Sequence, residues 1–417
     1  MKANAAGYTP RHFAVLPMAS ASAGGGGGET PLVDRCIDAA AGGAATVEAW
    51  RRQRRSLERL PAQLADALLR RLAARRLLFP SLLEVFQHSV EEIDLSGHIA
   101  VDAEWLAYLG AFRYLRVLKL ADCKNVNSSA VWALSGMSTL KELDLSRCSK
   151  ISDAGIKHIA SIESLEKLHV SQTGLTDNGV MAISSLINLR LLDLGGVRFT
   201  DKALRSLQVL TQLEHLDIWG SEITNEGASV LIAFTSLSFL NISWTRFMME
   251  NSVKVLSLSA LEELKYLESL NLNNTQLMDD VIPPLASFRA LKYLFLKSDF
   301  LSDPALHALS SASNLIHLGF CGNILSTTGL RKFVPPATLR MLDLSGCWIL
   351  TGDAISAFCT CHPVIEVRHE LIQELQANYG DERIKYSKEE MMELQHQAKS
   401  NSSMHVAQLP PELRRSV

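Results

Sequence analysis

From residue 89 onward the apolar positions of this chain recur at a nearly fixed spacing. The unit is L-x-x-L-x-L. It stands at Leu115, Leu118 and Leu120, at Leu140, Leu143 and Leu145, and onward to Leu339, Leu342 and Leu344, with a degenerate first copy at Val90, Ile93 and Leu95, eleven copies in all. The middle residues are 25 apart from Ile93 to Leu168, 24 apart from there to Leu240, 30 apart at the step to Leu270, and 24 apart thereafter. Alternate apolar residues predict a short strand with its leucines inward and the intervening residues on a solvated sheet face. One such strand buries almost nothing, so the copies must stack, share a core and be capped at the ends.

Between strands a second pattern predicts a helix. Segments such as Ile151-Ser152-Asp153-Ala154-Gly155-Ile156, Leu175-Thr176-Asp177-Asn178-Gly179-Val180 and Ile223-Thr224-Asn225-Glu226-Gly227 pair Ser or Thr with Asp or Asn. That pair is an N-cap signature, and Ile156, Ile159 and Ile162 supply an apolar face behind it. Three positions past each last inward residue comes a small or polar one, for example Cys123, Cys148, Thr173, Asn323 and Cys347, suited to a turn. Each unit therefore reads strand, turn, helix. The six extra residues before Leu270, around Met248 to Ser259, predict a longer loop or helix on the convex side.

The flanks differ. Residues 1–29, rich in Ala, Gly and Ser and ending at Gly24 to Gly28, predict a disordered tail. Residues 30–88 carry Leu57, Leu60, Leu64, Leu68, Leu72 and Leu78 at helical spacing among many arginines, with Pro61 suited to a first helical turn and a helix running to about Leu78. This helical module sits where an N-terminal cap is needed. Residues 89–362 hold the repeats. Residues 363–417, with Val367, Leu371, Leu375, Met391, Met392 and Leu394 among charges, predict a helical or disordered tail.

Composition narrows the function. Hydrophobic residues make up 47% of the chain and aromatics 6%, which favours many leucine-lined layers over one aromatic core. The net charge of −3 argues against a nucleic-acid binder. Seven cysteines, an odd number without dense pairing, point to a reducing compartment, cytoplasm or nucleus. No apolar run is long enough to span a bilayer, and no secretory signal is apparent, so no membrane partner is expected. G-x-S-x-G, a phosphate-cradling Gly-Lys loop and H-E-x-x-H are all missing, so neither an enzyme nor a cofactor is expected. Cys359-Thr360-Cys361-His362 lacks a second cluster at zinc spacing and fits the end of the array better.

The phrase L-x-x-L-x-L-x-x-C-x-x-I-[ST]-D-x-G, carried by Leu140 to Gly155, resembles the cysteine-containing, ribonuclease-inhibitor-like subclass of leucine-rich repeats, common in F-box-type substrate receptors of ubiquitin ligases. The resemblance implies an α/β leucine-rich-repeat solenoid, a horseshoe with a helical N-terminal cap, that binds protein. Leu32, Cys36 and Ala40 fit the L-x-x-x-C-x-x-x-A form of an elongin-binding box, and Leu60-Pro61-Ala62-Gln63-Leu64 with Leu68 resembles the opening of a cullin box or an F-box. Those two motifs imply cullin and adaptor partners. A complete F-box is longer than the stretch from Leu60 to Ile93 and carries later aromatic positions. Two readings stay open for residues 30–88, a plain cap or an adaptor-binding module, and two for the chain, a ligase receptor or a non-ligase scaffold.

The outward strand positions are the expected site for a protein substrate or ligand. They include Lys119, Glu142, Asp144, His169, Asp193, His215, Asp217, Phe239, Asn241, Asn271, Tyr293, Phe295 and Asp343, with Trp219 nearby. The first half of this row is acidic and the middle aromatic, and exposed aromatics are frequent binding anchors. Trp244 stands at a strand exit. The arginines at 51, 52, 54, 55, 70, 71, 75 and 76 read as a solvated helix face or as a patch for nuclear import or an acidic partner.

Overall fold

The structure is a computed structural model describing residues 32–52, 60–246, 258 and 261–372. The predicted tail at 1–29, Arg54, Arg55, nearly all of the Met248–Ser259 insertion and the chain after residue 372 lie outside the described residues.

Twelve three-residue strands form one parallel sheet in chain order: β1 (Glu92–Asp94), β2 (Val117–Lys119), β3 (Glu142–Asp144), β4 (Lys167–His169), β5 (Leu191–Asp193), β6 (His215–Asp217), β7 (Phe239–Asn241), β8 (Ser269–Asn271), β9 (Tyr293–Phe295), β10 (His317–Gly319), β11 (Met341–Asp343) and β12 (Glu366–Arg368). The middle leucines pair strand to strand in unbroken register, from Ile93 opposite Leu118 to Leu318 opposite Leu342. They are fully buried, as are nearly all the other members of the triplets. The eleven copies give β1 to β11. The twelfth strand falls where the pattern predicts a helical or disordered tail. Only Val367 stands in the leucine column there, opposite Leu342, and the open edge of β11 supplies the backbone bonds that make Glu366–Arg368 a strand.

Helices return the chain between strands: α4 (Ala103–Leu109), α5 (Asp153–Ile159), α6 (Asp177–Ile183), α7 (Asp201–Ser206), α8 (Asn225–Leu231), α9 (Asp303–Ala308), α10 (Thr327–Lys332) and α11 (Gly352–Cys361), after α1 (Leu32–Ala40), α2 (Ala44–Arg51) and α3 (Ala62–Ala74) in the N-terminal module. A Ser/Thr-Asp pair at several of these starts joins one repeat to the next. Asp153 accepts from both the N–H and the hydroxyl of Thr176, at 2.9 and 2.6 Å. The same double bond joins Asp177 to Thr200, Asp201 to Thr224, Asp279 to Ser302 and Asp303 to Ser326. The glycine of the motif leaves space for this carboxylate, because a Cβ on Gly179, Gly227 or Gly329 would overlap Asp153, Asp201 or Asp303.

A second connection runs through the turns. Cys123, Cys148 and Cys347 donate their thiols to the carbonyls of Leu95, Leu120 and Phe320 in the preceding strand at 3.1–3.2 Å, and Asn323 does the same to Leu296. Thr173, Thr245 and Thr275, at the same position, bond within their own repeat. Burial pushes Cys148 up to about 12 and Cys123 up to about 11, so these thiols stay protonated donors. One residue earlier the backbone turns left-handed, at Gly97, Asp122, Arg147, Gln172, Gly196, Gly220, Trp244, Asn274, Gly322 and Gly346. Each of the first nine donates its N–H to a carbonyl of the following repeat, for example Asp122 to Ser146 at 2.7 Å. Gly346 has no such carbonyl and donates instead to the Glu370 carboxylate at 2.9 Å, which closes the array.

At the other end Ile37, Val47, Ala65, Leu68, Leu72, Leu82 and Phe86 bury against one another in a core continuous with Ile93. Helix α3 ends at Ala74, short of the predicted Leu78, because Arg76 takes φ 55° and turns the chain. Arg75 ties α1 to α3, bonding the Asp38 carboxylate and the Asp38 and Ala41 carbonyls that end α1.

Candidate functional site

The sheet face opposite the helices carries two columns of outward side chains. The first, at the leading residue of each strand, reads Val117, Glu142, Lys167, Leu191, His215, Phe239, Ser269, Tyr293, His317, Met341 and Glu366. The second, two residues on, reads Lys119, Asp144, His169, Asp193, Asp217, Asn241, Asn271, Phe295, Gly319, Asp343 and Arg368. Strand alternation therefore brings Glu142, His215, Phe239 and Tyr293 into one column, and Lys119, Asp144, His169, Asp193, Asp217, Asn241, Asn271, Phe295 and Asp343 into the other. Trp219 lies at the strand exit beside them, its indole flat over Gly195 and Gly196 of the neighbouring repeat. Trp244 sits at the left-handed turn and is largely exposed.

The second column has a local job. Asp94, Asp144, Asp193, Asp217, Asn271 and Asp343 each accept from the backbone N–H two residues on, at 2.8–3.2 Å, and Asn241 does likewise to Ser243. This Asx turn shapes the strand exit, so Asp and Asn recur there partly for the backbone's sake. The first column has no such duty. From β5 to β11 it holds no acid, lysine or arginine, and its rings touch: His215 stacks on Phe239 with centroids 3.9 Å apart, and Tyr293 and Phe295 meet His317 edge-on. Leu191 and Met341 extend this apolar run and were not legible as face residues, because a leucine beside the leucine triplet looks like core. Strand register is the signal that finds them.

Charge concentrates at β3 to β6. Glu142 pairs with Lys167 at 3.1 Å and with Lys119 at 3.9 Å. His169 Nδ1 lies 3.7 Å from the Asp193 carboxylate. Burial by itself lowers the pKa of His169, but Asp193, Asp144 and Glu142 outweigh it and hold the imidazole above its ordinary value. Asp193 stays low, the desolvation offset by His169 and the Gly195 N–H. Asp217, buried beside Asp193, is pushed up to about 7, against which the N–H of Trp219 and the amide of Asn241 work only in part. Among the described residues no cluster of three or more His, Cys, Asp or Glu side chains is placed to hold a metal ion.

A family model described as "Leucine-rich repeat region" matches residues 98–363, well over half of the sequence. The chain belongs to the leucine-rich-repeat family. No curated protein sequence matches it significantly. Among solved structures, an internalin from Listeria monocytogenes is 17% identical with a TM-score of 0.48, over 74% of this chain and 94% of that one. The TLR13–ssRNA13 complex gives 21% identity and 0.43, over 65% of this chain and 41% of the other. The ectodomain of the Arabidopsis thaliana receptor kinase GASSHO1/SCHENGEN3, solved with CASPARIAN STRIP INTEGRITY FACTOR 2, gives 17% and 0.39, over 61% and 33%. This chain spans less than half the length of the last two.

Leucine-rich-repeat domains are in general protein-binding scaffolds, and two stretches of this chain are candidate surfaces from its sequence. One is the face just described. The other is in the N-terminal module, where Leu32 is 74% exposed and Cys36 and Val33 are exposed beside it, while Ala40 is half-buried. The second motif goes the other way: Leu68 is buried, Leu60 and Leu64 are half-buried, and Pro61, Ala62 and Gln63 are exposed. No described helix is long and apolar enough to cross a membrane.

Proposed function

We propose that this protein is a substrate-recognition subunit of a cullin-type ubiquitin ligase, holding its substrate on the sheet face and meeting an elongin-type adaptor through α1. The observation that carries the reading is the outer face of α1. Within α1 only Ile37 is buried, in the core it shares with α3, yet the same helix carries Leu32 and Cys36 in solvent at the spacing of an elongin-binding box. An apolar side chain held out on a helix fixed from behind is suited to a partner's groove. The burial of Leu68 favours a plain cap for the second motif, so a non-ligase scaffold using the same sheet face is the competing reading. Seven free cysteines fit the cytoplasm or nucleus.

The test is binding of the full chain to a purified elongin B–elongin C pair. The native chain is expected to form a stable complex that Leu32→Ala with Cys36→Ala abolishes at unchanged circular dichroism. A native chain that fails to bind the pair sinks the ligase reading and leaves the scaffold.

A further inference from the structure

The chemistry of the sheet face describes its partner more closely than "protein", on the reading that this face is where the partner sits. At β5 and β6, Asp193 and Asp217 stand side by side in register, Asp193 buried and Asp217 half-buried. Among the described residues no lysine or arginine pairs with either; His169 lies against Asp193 and lowers the pKa of Asp217 only weakly. Burial first, and then the neighbouring Asp193 carboxylate, hold the proton of Asp217 up to about 7. An added positive charge between their outer edges would let both ionise.

The neighbouring strands offer a contrasting surface. Phe239 and Tyr293 stand in the first column, with Ser269 between them leaving a dip. Phe295 lies over Gly319, where a Cβ would overlap its ring, so the aromatic floor continues flat onto β10. These rings are fixed by contacts with histidines and by glycine gaps, so little side-chain freedom remains to be lost on binding.

We infer that the face takes an extended peptide segment of a partner protein, laid across the strands, with a large apolar or aromatic side chain on the Phe239–Tyr293 stretch and a lysine or arginine over Asp193 and Asp217. Strands lie ~4.8 Å apart, and the gap between β5 and β6 is one and a half to three and a half strands from β7–β9, so the two anchors are separated by about 7–17 Å, the reach of about two to five extended residues. Charge complementarity selects this occupant, because a phosphate backbone would meet the carboxylates and a purely apolar segment would leave the cation position empty.

The experiment is selection of a random twelve-residue peptide library, displayed on phage, against the full chain. Enriched peptides are expected to carry Lys or Arg about two to five residues from an aromatic or large aliphatic residue. A synthetic copy of one such peptide should bind at least about tenfold more weakly to Asp193→Asn/Asp217→Asn, and a copy with its basic residue changed to Gln should lose that difference. Phe239→Ala/Tyr293→Ala should cause a comparable loss, recovered by neither peptide. Thermal unfolding of each variant confirms the fold. Ser269→Arg, placed mid-face, separates the two levels of the argument. Peptides blocked by Ser269→Arg but lacking the basic–apolar pairing overturn the inference and leave the face as the site. Peptides that bind Ser269→Arg as well as native overturn the face itself. No enrichment overturns the inference.

Discussion

The two columns of the sheet face are three residues wide in total and share every strand, yet they obey different rules. In the second column Asp or Asn returns in most repeats because the side chain closes the turn two residues on, as Asp144 does to Ser146 and Asp343 to Ser345. In the first column Glu142, Leu191, Phe239, Ser269 and Tyr293 succeed one another with no shared chemistry. A position dictated by its own backbone or by the next repeat repeats. A position dictated by neither is free to record what the molecule binds, and the first column is therefore the better guide to the partner.

That contrast can be broken at graded cost. The largest effect belongs to the inward leucines: Leu216→Ala should destabilise the array by about 2–5 kcal/mol in urea unfolding, with no tolerant site among the buried triplets. Next come the rungs between repeats. Asp201→Ala removes two bonds to Thr224 and should cost about 1–2 kcal/mol, while the same change at Asp144, which closes only a turn, should cost less.

Asp217→Asn should depend on pH. The native carboxyl binds its proton more tightly folded than unfolded, so it favours the fold fully below pH 3.8 and loses that contribution as pH rises through about 7. The asparagine chain should match the native one in acid and become the more stable of the two above neutral pH, by thermal unfolding across pH 4 to 9. An unchanged pH profile would remove the buried-carboxylate account. The smallest effect on stability should come from the first column. Phe239→Ala is expected to move unfolding by within about 0.5–1 kcal/mol, far less than an inward leucine, while weakening partner binding about tenfold or more.

Much of the architecture is legible in the residues. The leucine triplets fix strand, register and inward face, and a Ser/Thr-Asp pair marks the starts of α5, α6, α7 and α9, because both patterns are imposed by neighbouring repeats. Three features escape. β12 has only Val367 in the leucine column and owes its conformation to the edge of β11. The left-handed turn is marked by glycine in half its repeats, but Asp122, Arg147, Gln172 and Trp244 hold the same conformation and blur that signal. Of the candidate site, the polar half is readable from strand alternation, but Leu191 and Met341 are hidden among leucines of the core. In the N-terminal module, helical spacing places Leu32 and Leu68 alike on apolar faces, and only packing tells the exposed one from the buried one.

The aspartate rungs have a consequence for how the array comes apart. In a linear stack cooperativity passes only between neighbours, so it is strongest where junctions are fastened most. The described rungs form one run from Asp153 to Thr224 and another from Asp279 to Ser326. Under load or in denaturant each run should melt as a unit. Phe239 lies just past the first run and Tyr293 within the second, so a ligand bridging those two rings would also act as a splint, and its grip would be read as a closer coupling of the two melting units.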